Sequence, residues 1–328
     1  LDVRARRLSL DDGDELGFEK LLLATGGRPR HLALPGAELA GIHYLRTLED
    51  SDALKDAMSR AKRLIVVGGG FIGCEVAAAG VLRGIDTTVI EVGPYILNQA
   101  FDEPTGRWVM DYLIAKGMKV RCGERAAKFL GEDGRLTGLE TSAGSRIPTD
   151  LAVVGVGLAP NTDLAMAAGL RVENGIVVNE RLETSAPNVY AAGDVARFYS
   201  PVFDRHLRVE HYDVAVRHGK VAGANMAGAG IAFGELPYFF SDMFELRIHV
   251  HGTLSDYDRI VLRGTRALTD QGGFIQFYLK GGRLMAYLGV NRKLRDERAA
   301  QKLIAARREF SDVRPLEDPN ADLVAMAG

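Results

Sequence analysis

The sequence predicts an α/β fold in which two domains built on parallel sheets precede a small α+β domain. The chain has 328 residues, more than one hydrophobic core usually supports, so two or three domains are expected. A short apolar run ends in glycine twice, at Gly68 and at Gly193, which is typical of strands that lead into tight turns. After Pro237 the pattern changes to β-rich segments and one charged helix, which indicates a separate α+β domain.

The elements follow in order from hydrophobic spacing and turn residues. Residues 1–10 alternate like a strand that enters a turn at residues 11–14, and residues 19–24 form a short buried strand. Further strands are predicted over residues 63–67, 87–90, 118–121, 151–156, 189–192, 259–263, 274–279 and 284–290. Helices are predicted over residues 48–61, 71–82, 103–116, 211–226 and 296–308, and a hairpin turns at Asp133-Gly134. Residues 63–91 therefore form one βαβ unit.

Composition argues against several classes of function. Lys and Arg (41) balance Asp and Glu (43), so a net charge of -2 offers no overall attraction to nucleic acid or to an anionic membrane. No apolar run approaches the ~20 residues that cross a bilayer. Cys74 and Cys122 lie far apart and are interpreted as small core side chains, so no disulfide framework or metal site is expected and a cytoplasmic location fits best. Residues 292–298 are highly charged, which favours a solvated helix over a docking surface for an acidic carrier.

A glycine-rich turn predicts a dinucleotide site. Its residues are Gly68, Gly69, Gly70, Phe71, Ile72 and Gly73, which satisfy G-x-G-x-x-G directly between a predicted strand and a predicted helix. Gly68 permits the tight turn, Gly70 lets backbone N–H groups approach a pyrophosphate, and Gly73 lets the helix lie close to the strand. The N-terminus of the helix then faces the anion, where its free N–H groups and dipole favour negative charge.

An acidic residue at the end of the next strand predicts which dinucleotide binds. Glu91 lies eighteen residues after Gly73, where a carboxylate accepts hydrogen bonds from a ribose 2'-hydroxyl. The same carboxylate repels a 2'-phosphate, and Val92-Gly93-Pro94 brings no arginine to bind one. The sequence therefore predicts NADH rather than NADPH as the coenzyme.

Three further motifs carry a resemblance to a known family. Residues 184–195 are Thr-Ser-Ala-Pro-Asn-Val-Tyr-Ala-Ala-Gly-Asp-Val, and residues 24–26 and 155–161 are Ala-Thr-Gly and Gly-Val-Gly-Leu-Ala-Pro-Asn. Together and in this order they resemble the FAD- and NAD-dependent pyridine nucleotide-disulfide oxidoreductases. The resemblance covers residues 19–308. It implies two Rossmann-like, three-layer (ββα) domains of the glutathione-reductase type, one for FAD and one for NAD(H).

The resemblance also assigns residues to the two cofactors. Asp194 is expected to accept a hydrogen bond from the ribityl chain of FAD, and the following helix is expected to point its N-terminus at the FAD pyrophosphate. The other residues expected beside the cofactors are Ala24, Thr25, Gly26 and Gly193 on the FAD side and Gly157 in the return crossing on the NAD side.

Two residues are candidates for a catalytic role, Glu75 and His211. Glu75, two residues after Gly73, matches a position that contacts the nicotinamide carboxamide, and an acid that complements the helix dipole is an equal alternative. Glu210, His211 and Tyr212 resemble the helix start that faces the isoalloxazine ring in the apoptosis-inducing-factor branch.

The C-terminal segments resemble ferredoxin and rubredoxin reductases. The similar residues are Phe240-Ser241-Asp242, Leu246-Arg247-Ile248, Gly282-Arg283-Leu284 and Val290-Asn291-Arg292. The family also begins with its own G-x-G-x-x-G segment, which does not precede Ala24, so the FAD domain is expected to be incomplete. The expected domains are residues 1–46 and 166–232 for FAD, 47–165 for NAD and 233–328 for a C-terminal interface domain. A homodimer is left open.

The resemblance implies that NADH delivers a hydride to FAD and that electrons then pass singly to an iron-sulfur ferredoxin or to a rubredoxin. An NADH oxidase or quinone-type reductase is a second interpretation. A non-catalytic dinucleotide-binding protein similar to apoptosis-inducing factor is a third. Dithiol chemistry also stays open, because a redox-active cysteine pair would belong to the missing first portion.

Overall fold

The computed structural model describes residues 1–267 and 273–327. Its strands are β1 (Arg7–Ser9), β2 (Glu15–Gly17), β3 (Leu21–Leu23), β4 (Gly27–Pro29), β5 (Ile42–His43), β6 (Arg63–Val67), β7 (Asp86–Glu91), β8 (Lys119–Cys122), β9 (Ala126–Glu132), β10 (Arg135–Thr141), β11 (Arg146–Pro148), β12 (Leu151–Val154), β13 (Leu158–Pro160), β14 (Ile176–Val178), β15 (Val189–Ala191), β16 (Ala196–Ser200), β17 (Arg205–Leu207), β18 (Tyr238–Met243), β19 (Leu246–Gly252), β20 (Arg259–Gly264), β21 (Phe274–Lys280) and β22 (Arg283–Val290). Its helices are α1 (Leu48–Arg60), α2 (Phe71–Leu82), α3 (Glu103–Ala115), α4 (Asp163–Ala167), α5 (Tyr212–Met226), α6 (Leu294–Ala305), α7 (Arg314–Glu317) and α8 (Leu323–Met326). Within the described residues, no helix has both the length and the apolar character needed to span a bilayer.

A parallel sheet in the order β5-β12-β6-β7-β8 forms the centre of the first unit. Its inner strands are rich in Val, Ile and Leu, because both faces of a parallel sheet are covered. The chain runs β6-α2-β7-α3-β8 to one side and returns to β12 on the other, so the strand order reverses beside β6. Ligands of such sheets bind at the carboxyl ends of the strands at this reversal. The predicted βαβ unit is confirmed, and β6 and α2 have the predicted bounds.

The first unit has three layers, with helices on one face of the parallel sheet and the antiparallel sheet β11-β10-β9 on the other. Cys74 is buried in the helix layer, and burial raises the pKa of its thiol. In the opposite layer Phe129 packs against Ile65 of the parallel sheet. The predicted hairpin is also confirmed, since Asp133 and Gly134 at its tip have φ angles of 48° and 74°, as a type I′ turn requires.

The second unit combines segments from both sides of the first. β3 pairs in parallel with β15, β4 pairs antiparallel with β13, and β14, β16 and β17 form a small mixed sheet. Its core contains Phe198 from β16 together with Val214 and Ala222 from α5. β5 lies before the expected domain boundary at residue 46, yet it pairs with β12 of the first unit.

The first residues differ from the predicted strand over residues 1–10. Only Arg7–Ser9 is a strand, and it pairs antiparallel with Glu15–Gly17. Residues 3–6 form a turn in which Arg6 has a φ angle of 54°. Leu1 and Val3 pack, partly buried, against the core of the second unit, but the turn at residues 3–6 interrupts the strand.

The C-terminal sheet is antiparallel in the order β18-β19-β22-β21-β20. Neighbouring side chains of a strand point to opposite faces, so Phe274 and Tyr278 join the core of the first unit while Ile275 and Phe277 pack against α6. The C-terminal sheet therefore shares its core with the first unit. α6 begins and ends earlier than the predicted range of residues 296–308.

Candidate functional site

The glycine-rich loop after β6 has the backbone that a dinucleotide motif requires. Gly68 has a φ angle of 107°, and a Cβ there would lie 2.3 Å from the carbonyl oxygen of Gly155. A Cβ on Gly73 would lie 2.0 Å from the carbonyl oxygen of Gly68. Gly70 is the N-cap of α2, and a Cβ there would meet no heavy atom of the described residues within 4 Å. The loop is closed by protein at Gly68 and Gly73 and open to a ligand at Gly70.

The first turn of α2 separates its two large side chains. Phe71 packs against Phe101 and Phe239, with ring centroids 5.5 and 5.3 Å apart. Ile72 is mostly exposed. The free N–H groups of this turn and the positive end of the helix dipole favour an anion beside Gly70.

Glu91 is buried at the end of β7 and braces the glycine loop. Its carboxylate accepts hydrogen bonds from the Gly69 N–H at 2.7 Å, the Gly93 N–H at 2.6 Å and Asn98 Nδ2 at 3.1 Å. Three of the roughly four acceptor positions of a carboxylate are thus taken. The ribose contact of Glu91 stays a prediction, and the structure adds a role in holding the loop. Asn98, which takes part in this, was missed by the sequence analysis.

Glu75 lies where α2 meets the C-terminal sheet. Because α2 begins at Phe71, Glu75 lies beyond the first turn, and that turn contains no acidic residue. The alternative in which Glu75 complements the helix dipole is therefore wrong. Ser241 Oγ of β18 donates a hydrogen bond to Glu75 Oε1 at 2.5 Å. Burial raises the pKa of Glu75, the Ser241 hydrogen bond opposes this shift, and Asp242 adds to it.

The two motifs assigned to FAD follow neighbouring parallel strands and lie at the same edge of their sheet. β3 and β15 pair in parallel, and the Ala192 N–H donates to the carbonyl of Leu23 at 3.1 Å. Gly26 and Gly193, which follow these strands, have φ angles of 60° and 77°, a region that favours glycine. The structure therefore brings residues 24–26 next to Gly193 and its neighbour Asp194.

Asp194 forms an ion pair with Arg46, a residue that the sequence analysis missed. Arg46 Nη2 donates to Asp194 Oδ2 at 2.9 Å, and the Asp194 side chain is 12% exposed. Arg46 directly precedes Thr47, the N-cap of α1, and its own N–H donates to Asp50 Oδ2 at 2.9 Å. The capping box of Thr47 and Asp50 can be recognised from the sequence. The pairing with Asp194 is not, because Arg46 lies 148 positions away.

Two crossing segments connect the units beside these motifs. Thr25 Oγ1 donates to the carbonyl of Asn161 at 2.6 Å, and Asn161 Nδ2 donates to the carbonyl of Thr25 at 2.8 Å. β4 and β13 continue this pairing, and the Arg30 N–H donates to the carbonyl of Gly157 at 3.0 Å. Gly157 has a φ angle of 103°. The crossings thus form a ribbon between the two candidate sites.

His211 is the N-cap of α5 and faces the C-terminal sheet. Its Nδ1 accepts a hydrogen bond from the Asp213 N–H at 3.3 Å, and its ring lies 5.1 Å from that of Phe240. Burial lowers the pKa of His211. Tyr212 is 64% exposed, and Glu210 is also exposed. The ring of Tyr212 also contacts that of Phe240, with centroids 5.9 Å apart, so both His211 and Tyr212 meet β18.

β18 carries contacts from both helices. Ser241 bonds Glu75 of α2, and the adjacent Phe240 contacts His211 of α5. The two candidate catalytic residues, which are far apart in the sequence, therefore meet the same strand.

Both turns fit the groups that the sequence analysis assigned to them. The first offers an open helix N-terminus at Gly70, suited to a pyrophosphate. The second offers the Asp194 carboxylate as an acceptor with the Arg46 guanidinium beside it as a donor, suited to a polar chain of hydroxyls.

The chain matches two family models. The model described as pyridine nucleotide-disulphide oxidoreductase matches residues 1–219, and a reductase C-terminal model matches residues 238–327. The probable ferredoxin reductase CtmF of Castellaniella defragrans is 38% identical over 328 residues, which cover 100% of this chain and 79% of that relative. Putidaredoxin reductase CamA of Pseudomonas putida is 35% identical over 301 residues, covering 90% of this chain and 71% of the relative.

A solved structure agrees over the same length. The ferredoxin reductase of the CYP199A2 system from Rhodopseudomonas palustris superimposes with a TM-score of 0.94 and 33% sequence identity. The similarity covers 100% of this chain and 80% of that one. The similarity thus includes both candidate sites and the C-terminal sheet.

Proposed function

This chain belongs to the pyridine nucleotide-disulphide oxidoreductase family, and on that basis we propose that it carries electrons from NADH through FAD to a ferredoxin- or rubredoxin-type carrier. It is a flavoprotein oxidoreductase that uses FAD and NAD(H). The observation that carries the proposal is the meeting of α2 and α5, each from one candidate site, at β18 of a C-terminal domain of the reductase type.

On the NAD side, the proposed roles follow from position. The open face of Gly70 and the N-terminus of α2 would hold the pyrophosphate, because no side chain of the described residues fills that approach. Glu91 would accept from the adenine ribose with its remaining acceptor position, which favours NADH over NADPH. Glu75 would orient the nicotinamide, because its carboxylate is fixed by Ser241 and can accept from a carboxamide N–H.

On the flavin side, bound FAD supplies an acceptor for a hydride and a donor of single electrons. Asp194 and Arg46 would fix the polar chain of the cofactor, with residues 24–26 and Gly193 forming the turn around it. His211 and Tyr212 would border the ring system, and the lowered pKa of His211 keeps its imidazole neutral there near pH 7. Positioning of two rings is the contribution that these side chains make to the reaction.

The domain limits are also proposed. The FAD domain would consist of residues 1–46 and 166–232, the NAD domain of residues 47–165 and the interface domain of residues 233–328. β5 belongs to the FAD segment by sequence but pairs with β12 in the sheet of the NAD domain. The free cysteines Cys74 and Cys122 support a cytoplasmic location, which we propose as well.

An absorption spectrum of the full-length protein before and after anaerobic NADH tests the proposal. We expect flavin bands in the visible region that bleach on addition of NADH and return when an oxidised ferredoxin or rubredoxin is added. NADPH at the same concentration should bleach them far more slowly. A colourless protein, or a flavin that NADH leaves unchanged, would contradict the proposal. Rapid recovery with oxygen or a quinone and none with a carrier would favour an NADH oxidase or quinone reductase instead.

A further inference from the structure

We infer that His218 is a positioning residue for the flavin turn: its buried imidazole accepts the Gly193 N–H and thereby fixes the backbone that presents Asp194. The inference rests on the proposed function, because it concerns the turn assigned to FAD. His218 lies outside every motif that the sequence analysis used.

The hydrogen bond joins the middle of α5 to the turn after β15. The Gly193 N–H donates to His218 Nδ1 at 3.3 Å. Gly193 opens the 3-10 turn Gly193–Val195, and the Ala196 N–H closes that turn on the Gly193 carbonyl. A buried N–H without an acceptor costs free energy, so a turn that points this group into the core needs an acceptor there. His218 supplies it.

The surroundings of His218 allow a single protonation state. The residue is fully buried, and its ring makes edge-to-face contacts with Phe198 at 4.7 Å and Phe233 at 4.5 Å. Burial lowers the pKa of His218 to about 4. Nδ1 accepts the hydrogen bond, so Nε2 carries the proton, and Nε2 has no hydrogen-bond partner among the described residues. The imidazole is thus neutral and in one tautomer, with its acceptor aimed at Gly193.

A buried neutral imidazole with an unpaired Nε2 proton is less favourable than an apolar side chain, so we infer that His218 does more than fill space. Among the residues that the structure describes, the buried Nε2 proton has no acceptor, a penalty that an apolar side chain of similar size would avoid. The hydrogen bond to Gly193 is the gain that offsets this penalty. Asp194 follows directly, so a shift of the Gly193 amide would move the carboxylate relative to Arg46.

Three variants of the full-length protein separate positioning from packing. His218→Leu fills the space without an acceptor, His218→Gln restores an acceptor, and Phe233→Leu loosens the same packing while leaving the hydrogen bond intact. The first measurement is the FAD dissociation constant, determined from the fluorescence of released FAD. We expect an increase of about tenfold for His218→Leu, and values within about threefold of the wild type for the other two.

A second measurement does not depend on flavin. Hydrogen exchange of the Gly193 amide should accelerate in His218→Leu and stay slow in His218→Gln and Phe233→Leu, because exchange reports whether that N–H has an acceptor. This readout also remains informative if His218→Leu binds no FAD.

The outcomes distinguish the inference from the proposed function. Equal FAD affinity and equal Gly193 exchange in wild type and His218→Leu would overturn the inference, as would equal losses in His218→Leu and Phe233→Leu. A wild-type protein that binds no FAD would contradict the proposed function, whereas the exchange pattern would still test the role of His218.

Discussion

Gly70 and Gly73 belong to one motif but differ in what surrounds them. An added Cβ on Gly73 would overlap the Gly68 carbonyl, whereas one on Gly70 would meet open space. We therefore expect Gly73→Ala to lower the melting temperature and the NADH affinity together. Gly70→Ala should keep the melting temperature and raise the Kd for NADH by about tenfold, because the methyl group occupies the approach of the pyrophosphate. Thermal melts and NADH titrations check this, and equal destabilisation of the two variants would contradict it.

Ser241 should set the pH range over which NADH binds. Its hydroxyl favours the carboxylate form of Glu75, whose pKa burial raises above the ordinary value. In Ser241→Ala the pKa of Glu75 rises further, so its carboxylate becomes protonated at a higher pH. As the pH is lowered, NADH affinity should therefore begin to fall at a higher pH than in the wild type. The sign for stability is the opposite: a carboxyl whose folded pKa is raised contributes stability at low pH that is lost as pH rises through that pKa.

The Kd for NADH measured from pH 5 to 8 checks this prediction. Ser241→Thr keeps a hydroxyl and should retain the wild-type profile, whereas Glu75→Gln should abolish the pH dependence. If the pH dependence of the Kd for NADH is the same in Ser241→Ala as in the wild type, Ser241 does not control the pKa of Glu75.

The site residues that the sequence predicted are those whose chemistry is local. A glycine that must adopt a positive φ, or an acid at the end of a strand, is recognisable from its immediate neighbours. Arg46 and His218 were missed because their roles depend on partners that only the tertiary structure brings near: Arg46 meets Asp194 from 148 positions away. Asn98 lies seven positions from Glu91 and was missed because no motif marks it. The correction for Glu75 has a different cause: α2 begins at Phe71 as predicted, and Glu75, as its fifth residue, already lies beyond the first turn.

At the scale of elements, the N-terminus of α1 connects the stability of the fold with the candidate FAD site. Thr47 and Asp50 form a capping box, and Asp50 also accepts the N–H of Arg46. Thr47→Ala should lower the free energy of unfolding by about 1 kcal/mol, since a cap hydrogen bond is lost. It should also weaken FAD binding by about twofold, because the segment that carries Arg46 loosens.

Chemical denaturation and FAD titration measure both effects. Ser51→Ala, an exposed change on the same helix, is the matched control and should alter neither by much. A stability loss in Thr47→Ala without any change in FAD affinity would separate the cap from the flavin side.

Elements with a clear apolar run could be predicted, and the short crossing strands could not. β6, α2, β21 and β22 are predominantly apolar segments and were predicted within about two residues at each end. The crossing strands β4 and β13 have three residues each, too few for any period, and they exist because they pair with each other. The N-terminal segment shows the opposite error, since its alternation predicted a strand where residues 3–6 form a turn.

At the scale of the whole molecule, the first unit and the C-terminal sheet share one hydrophobic core. Apolar side chains from α2 and α3 pack with Ile248, Tyr278 and Leu288 of the sheet. Buried polar contacts add to this, as Thr105 Oγ1 donates to Gln276 Oε1 at 2.7 Å. The two parts should therefore unfold together, since neither can keep its apolar face buried alone.

We expect a fragment of residues 233–328 to remain unfolded or to aggregate when produced alone. In the full-length protein, scanning calorimetry should show the NAD domain and the C-terminal domain melting in one transition. A fragment with a dispersed amide NMR spectrum and a cooperative melt of its own would contradict the shared core.

The shared strand β18 also limits how such proteins can be recombined. Exchanging the C-terminal domain with that of a relative would also exchange the strand that carries Phe240 and Ser241. In the chimera, the donor's β18 would supply the contacts of Glu75 and of His211. The C-terminal domain is therefore not separable from the two candidate sites, and a graft that succeeds must keep the adjoining faces of α2 and α5 matched to the domain.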